Sequence, residues 1–379
     1  MFDFAVGQTN PETFPVEAFK RAATAAIDAE SAAMNQYPGG KGHLGLRTLM
    51  ARRESEREGV AVDPEKIALM NGSMQAVTLT GQALMDQPGD SVITEAFTYS
   101  GTIAAYRGIG LKMTGIPIDE QGMRVDVLAD TLDAMPIKPK FIYTLTSYQN
   151  PTGTTMSLAR RSALIELAEY HQLPVVEDNC YGDVHFEGEK QPSLYALKPD
   201  PRHIYIGSLS KIFAPGVRLG YLMADSPYFQ KIVSRRFDAG SNYFAASVLA
   251  EFYKEDLWGH CERANKALRV KRDLLLEALD ASLSDICAWS HPVGGLFLWL
   301  RLPEDVDLDL LKRVTAEAGF FYAEGKDFNV TGEAVHYLRL AFGHVPDALI
   351  TQGIPILAES IQRCRSSNAA REFEHLFDD

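Results

Sequence analysis

Cysteine is scarce in this chain: Cys180, Cys261, Cys287 and Cys364 are the only four in 379 residues. None forms a CxxC pair and no Cys/His cluster has zinc-ligand spacing, which excludes a disulfide scaffold and a zinc module. A reduced, cytoplasmic protein is the expectation. Positive charge is short as well, with 37 Lys and Arg against 50 Asp and Glu and a net charge of −13. A nucleic-acid partner or an anionic membrane surface needs a concentrated basic face, so neither is expected. Any acidic ligand must then be held by local Lys or Arg against the overall field. No run approaches the ~18 apolar residues of a spanning helix. The opening MFDFAVGQTNPETFP has neither a basic nor an apolar leader segment, and no signal peptide is expected. Nine histidines show no HExxH-like pattern, and no metal is expected. Internal repeats and low-complexity linkers are also missing.

What is present is an alternation. At roughly 150 residues per domain the length suits two or three domains, or a large one with a smaller companion. Short apolar runs at 67–70, 91–94, 141–146, 174–177, 203–206 and 218–223 read as strands, several ending in Gly, Asn, Ser or Asp. Helical patterns at 74–85, 101–107, 158–171 and 229–237 lie between them. Strand and helix in alternation predict an α/β fold with a mainly parallel sheet flanked by helices. The pattern changes after about residue 245. One long helical stretch covers 249–283, then strands at 296–302 and 337–342 and helices at 308–318 and 348–365 predict a smaller α+β domain. A polar, acidic tail, 366–379, is expected to be loosely held.

Four segments could carry chemistry, each following a predicted strand. In Gly207-Ser208-Leu209-Ser210-Lys211, with Arg218 beyond a Gly/Pro turn, two hydroxyls and a planar guanidinium suit a dianion. A lysine amine beside such a site could form an imine with an aldehyde. A surface loop with one solvated lysine fits equally. In Glu177-Asp178-Asn179-Cys180-Tyr181-Gly182-Asp183 a carboxylate stands at the end of a strand, where ligands sit in open α/β sheets; an ordinary helix cap is the competing reading. Tyr148-Gln149-Asn150-Pro151-Thr152-Gly153 is either a plain turn or a turn that offers the Asn150 amide to a cofactor oxygen. Asn71-Gly72-Ser73-Met74 precedes a helix, and N–H groups at a helix start bind phosphate; capping by Ser73 is equally compatible.

In this order and spacing the four segments resemble the pyridoxal-phosphate (PLP) aminotransferases of fold type I, class I/II. The likeness is strongest to the branch with aminoadipate and aromatic aminotransferases and the effector domains of MocR-type regulators. It runs from Phe4-Ala5-Val6-Gly7 to Leu338-Arg339-Leu340-Ala341-Phe342. The resemblance implies pyridoxal 5′-phosphate bound to Lys211 as a Schiff base, with Asp178 on the pyridinium nitrogen. Tyr181 and Asn150 would bond the ring's phenolic oxygen. Ser208, Ser210 and Arg218 would hold the phosphate with the N–H groups of Gly72, Ser73 and Met74. Tyr99 matches the residue that stacks on the ring, and Arg339 the one that grips the substrate α-carboxylate near Asn150. Gly7 falls at a substrate-side position. Tyr37 matches a tyrosine that reaches the phosphate of a neighbouring subunit, which implies a homodimer with shared sites.

The implied reaction moves an amino group from an α-amino acid to a 2-oxo acid by a ping-pong route, with Lys211 as proton carrier. Two other readings stay open: another PLP reaction on the same scaffold (β-lyase, cyclase or oxidase), or a PLP-binding sensor without turnover. The implied organisation is an N-terminal segment, 1–35, packing with the small domain, a large PLP-binding domain, 36–280, and a small domain, 281–379. Tyr322-Ala323-Glu324-Gly325-Lys326-Asp327-Phe328 departs from the family's usual Pro-Gly turn, and Ser241-Asn242-Tyr243-Phe244 is also unusual. Gly40-Lys41-Gly42-His43-Leu44-Gly45 fits GxGxxG without a preceding strand and reads as a mobile loop near the site, not a dinucleotide fingerprint. Cys180, Trp289 and Trp299 read as packed core. Tyr37, Tyr243 and Phe244 hint at an aromatic-lined pocket, and Lys41 and His43 at a site for an acidic side chain or, more simply, a solvated loop.

Overall fold

The computed structural model describes residues 1–365, so the expected acidic tail lies outside the described residues. The central sheet has seven strands: β1 (Ile67–Met70), β2 (Ser91–Glu95), β3 (Lys112–Ile116), β4 (Ile142–Thr144), β5 (Val175–Asp178), β6 (His203–Ser208) and β7 (Gly220–Ala224). Their order is β1-β7-β6-β5-β4-β2-β3. β7 runs antiparallel to both neighbours and the other ladders are parallel.

Alternation along each strand splits the core into two layers. Ile142 and Val175 face one layer, which is closed by α5 (Val125–Ala134) and α6 (Leu158–Tyr170). Tyr143 and Val176 face the other, closed by α2 (Leu44–Glu58), α3 (Ser73–Leu84) and α7 (Tyr243–Glu255). With both faces covered, β1 and β4 to β7 are buried along their whole length. This is the α/β fold with a mostly parallel sheet that the alternation predicts.

A second sheet, β8 (Ala288–Trp289), β9 (Phe297–Arg301), β10 (Ala323–Glu324) and β11 (Tyr337–Ala341), is antiparallel with order β8-β9-β11-β10. Leu298, Leu300, Leu338 and Leu340 bury against α10 (Asp347–Arg363) and against Leu275, Leu279 and Leu283 of α8 (Gly259–Leu283). Those three leucines recur every four residues and so share one stripe of the helix.

Several boundaries differ from expectation for local reasons. The predicted helix over 249–283 is two, α7 and α8, because Asp256 leaves the first and its Oδ1 accepts the N–H of His260 at the start of the second. The strand expected from 218 begins at Gly220, since Arg218 is left-handed (φ 53°). Residues 1–35 divide instead of packing together with the small sheet. Phe2–Asp3 pairs with Phe320–Phe321, and Phe4 is buried in that core. Helix α1 (Val16–Glu30) lies on α7 of the large unit, through Ala22 and Ala26.

Under the loop that follows β5 lies a buried charge cluster. Arg53 of α2 donates twice to Asp183 Oδ2 at 3.2 Å, and Arg57 donates to Asp183 Oδ1 at 3.1 Å and to Glu58 at 2.8 Å. Arg57 and the Tyr221 hydroxyl both donate to Glu54. Two guanidiniums thus face three carboxylates. Burial pushes the Glu54 carboxyl up to about 7, with Arg57 opposing the rise and Asp183 adding to it. An acid whose folded value lies above its unfolded 4.5 contributes most below about 4.5, and the contribution is lost as pH rises through about 7. Urea unfolding at about pH 5 and about pH 8 is therefore expected to show wild type losing stability relative to Glu54→Gln at the higher pH. The same difference at both pH values would mean that Glu54 does not titrate in the folded protein.

Candidate cofactor and substrate site

At the carboxyl edge of the parallel strands lies a cavity of about 380 Å³, the place where ligands enter an open α/β sheet. One end is built for an anion. β1 leads into Gly72, whose φ of +80° puts α3 in position with no side chain capping its first turn. A Cβ on Gly72 would stand 2.5 Å from Arg218 Nη2, so a side chain there would push the guanidinium off the helix start. Ser73 and Met74 line the cavity there. From β6 and the turn after it come Ser208, Ser210 and Arg218, with the Ser210 N–H on Ser208 Oγ at 3.2 Å. A helix N-terminus, two hydroxyls and a guanidinium fit a phosphate dianion.

The floor carries the opposite charge. Asp178 ends β5 and is 4% exposed. Its Oδ2 accepts the Tyr143 hydroxyl at 2.6 Å and its Oδ1 the Cys180 N–H at 3.3 Å. Burial raises this carboxyl, and the bonds from Cys180 and Tyr143 oppose the rise. An acid so placed suits a protonated ring nitrogen, whose positive charge offsets the cost of burying the carboxylate. Lys211 Nζ donates to the Gly7 carbonyl at 2.7 Å and lies 5.8 Å from the Tyr181 ring centroid. Burial brings this amine down to about 8, with Arg339 and Arg218 pushing the same way and Asp178 opposing. Its neutral form is therefore within reach near physiological pH, as an imine-forming amine requires.

The far wall joins the two sheets. Arg339 of β11 donates from Nη1 to Asn150 Oδ1 at 2.9 Å and from Nη2 to the Ala5 carbonyl at 2.5 Å. Burial lowers its guanidinium to about 10. Asn150 Nδ2 is 3.5 Å from the Tyr181 hydroxyl. The Asn150 loop is held from behind by buried Arg161, which donates to the Thr146 and Met156 carbonyls at 2.7 and 2.9 Å.

Ser73, Met74, Tyr99, Asn150, Asp178, Tyr181, Ser208, Ser210, Lys211, Arg218, Gly7 and Arg339 all line this one cavity, and Gly72 abuts it through Arg218. Tyr37 does not: it is 87% exposed and lies outside the lining. The loop from Gly40 to Gly45 is fastened by its own contacts, not free beside the site. His43 Nδ1 caps α2 by accepting the Leu46 N–H, and Lys41 pairs with Glu65 at 2.6 Å. Tyr243 bonds Glu30 at 2.9 Å. Lys41, His43, Tyr243 and Phe244 therefore line no part of the cavity in a single chain. Cys180, read as packed core, does line it at 8% exposure, with burial holding its thiol well above the ordinary range. Phe297 and Tyr143 went unassigned in the sequence. Phe297 lay in a stretch read only as a strand of the smaller domain, and Tyr143 reaches Asp178 only through strand pairing. Among the described residues no group of three or more His, Cys, Asp or Glu could hold a metal ion.

A family model described as aminotransferase class I and II matches residues 1–355. The aromatic-amino-acid aminotransferase 1 of Thermococcus litoralis is 34% identical over 369 residues, 96% of this chain and 88% of the relative. The structure superposes on the multiple substrate aminotransferase of Thermococcus profundus with a TM-score of 0.90 at 33% identity, covering 98% of this chain and 92% of that one. It also superposes on LysN, the alpha-aminoadipate aminotransferase of Thermus thermophilus, complexed with N-(5′-phosphopyridoxyl)-L-leucine. There the TM-score is 0.89 at 30% identity, with 96% and 92% covered.

The anion end gives a direct test. Gly72→Ala places a methyl against Arg218 at a positive φ, and affinity for pyridoxal phosphate is expected to fall at least about tenfold in an equilibrium absorbance titration, the loss of roughly one charge-assisted hydrogen bond. Unchanged affinity would separate Arg218 from the anion end.

Proposed function

The chain belongs to the class I and II aminotransferase family, and we propose a division of labour among the residues around its cavity. The protein is a pyridoxal-phosphate-dependent aminotransferase. The cofactor supplies an electron sink for negative charge at a substrate carbon. Arg218, Ser208, Ser210 and the N–H groups at the start of α3 hold the phosphate. Asp178, its carboxylate fixed by Tyr143, would keep a proton on the ring nitrogen. Tyr99 would lie against the ring, and Tyr181 and Asn150 would bond its oxygen. Lys211 would hold the cofactor through Nζ, and the same amine is placed to move a proton at the donor's α-carbon. Arg339 and Asn150 would grip the α-carboxylate and so fix the orientation of the substrate's α-carbon. One clamp serves an α-amino acid in the first half-reaction and a 2-oxo acid in the second, as ping-pong transfer requires.

The observation that carries this reading is convergence. An amine, a buried acid, an anion cradle and a carboxylate-matched arginine share one cavity although they come from residues 72 to 339. Lys211→Ala is expected to lower the transamination rate by at least about a hundredfold and to remove the absorbance of a lysine-bound cofactor. A variant that keeps a borohydride-reducible bond to the cofactor would transfer the role to another lysine.

We also propose a homodimer with shared sites, in a reducing cytoplasm. Tyr37 and Phe237 are 87% and 94% exposed, and Arg218 is exposed at the phosphate end. A second copy would cover these groups and bring its own Tyr37 toward the cradle. Among the described residues no helix is long and apolar enough to cross a membrane. Sedimentation is expected to report twice the 41.9 kDa chain mass; a fully active monomer would refute the shared site.

A further inference from the structure

We propose that Phe328 is a positioning residue for Arg339 and so governs how tightly the site holds its substrates' α-carboxylate; this rests on the reading of Arg339 given above. Phe328 closes the segment that departs from the family's Pro-Gly turn. The Arg339 guanidinium carbon lies 4.7 Å from the Phe328 ring centroid and 4.4 Å from that of Phe297. A guanidinium has five N–H donors in one plane. Two point to Asn150 and Ala5, and Nε is buried with no partner. The aromatic rings therefore take over part of the hydration that burial removes, and they limit rotation of the plane into which a carboxylate must fit.

Phe328 is itself tightly held. It is 2% exposed, and the Trp299 ring meets it edge-on at 6.0 Å and 86°. Its carbonyl accepts the Thr98 N–H at 2.9 Å, and the Val330 N–H donates to the Ala96 carbonyl at 3.0 Å. Residues 96–98 lead directly into Tyr99, which lines the cavity. This backbone seam fastens the carboxylate clamp, on the small sheet, to the loop that carries a cofactor-facing ring on the large one. Phe328 thus sets the height of Arg339 relative to that loop, and the chemistry it serves is recognition of a planar anion.

The test compares Phe328→Leu and Phe328→Met, which lose the aromatic face, with Phe328→Tyr, which keeps it, all as the cofactor-loaded enzyme. For an α-amino acid donor the two aliphatic variants are expected to raise KM roughly two- to thirtyfold, the range of a partly desolvated cation–π contact, with kcat within about twofold. Phe328→Tyr is expected to restore KM. The kcat/KM for a primary amine lacking a carboxylate, such as benzylamine, is expected to stay unchanged. An equal loss on benzylamine, or an unchanged KM in the aliphatic variants while Arg339→Ala raises it, overturns the positioning role alone. If Arg339→Ala leaves KM for the amino acid unchanged, the reading of Arg339 fails first.

Discussion

A buried carboxylate at the end of a parallel strand is costly unless something positive or hydrogen-bonding meets it, and Asp178 is such a group. Tyr143 and the Cys180 N–H meet it from the protein side. On its cavity side the carboxylate suits a protonated ring nitrogen. The rest of the site is arranged around the same cavity. β6, next to β5, delivers Ser208 and then Lys211, and β1, beyond β7, delivers the start of α3. Because β1, β5 and β6 point the same way, their ends form one edge, and a single flat ligand can touch all three.

The loop that carries Asp178 and Tyr181 is braced from below by Arg53 and Arg57 through Asp183. A neutral Glu54 balances the cluster at two cations to two anions, a cheaper state for a dry interior than an extra charge. The neighbouring Asn150 loop has a separate brace in Arg161. Each loop is thus held by buried arginines that reach its main chain or its own carboxylate, which fixes height and tilt without filling the cavity.

The chemistry was legible where it is local. Strand, turn and chemical residue follow within a few positions for Asp178, for Ser208 to Lys211 and for Gly72, so periodicity and turn residues located them. Contacts across the fold were not legible. The rings beside Arg339 lie 42 and 11 residues away in sequence, as their numbers 297, 328 and 339 show, and nothing in local patterning pairs an arginine with a phenylalanine. Helices α1, α2 and α5 went unremarked, although α1 and α5 carry apolar stripes, Ala22 with Ala26 and Val125 with Leu128 and Leu132. The Gly40 to Gly45 loop, read as mobile near the site, is packed for a related reason: Gly42 takes a left-handed turn against Leu69 and Ser241, contacts that local sequence does not show.

Residues 5 and 7 offer main-chain oxygens, one to Arg339 and one to Lys211. A carbonyl survives every amino-acid replacement, so these two contacts are written in the path of the chain and not in its alphabet. Ala5 and Val6 can drift under selection without erasing them. Position 7 cannot, since a Cβ there would fall 2.7 Å from the Phe297 ring. The opening strip of the protein therefore carries heritable information mainly as a curve in space, with one glycine as its spelling.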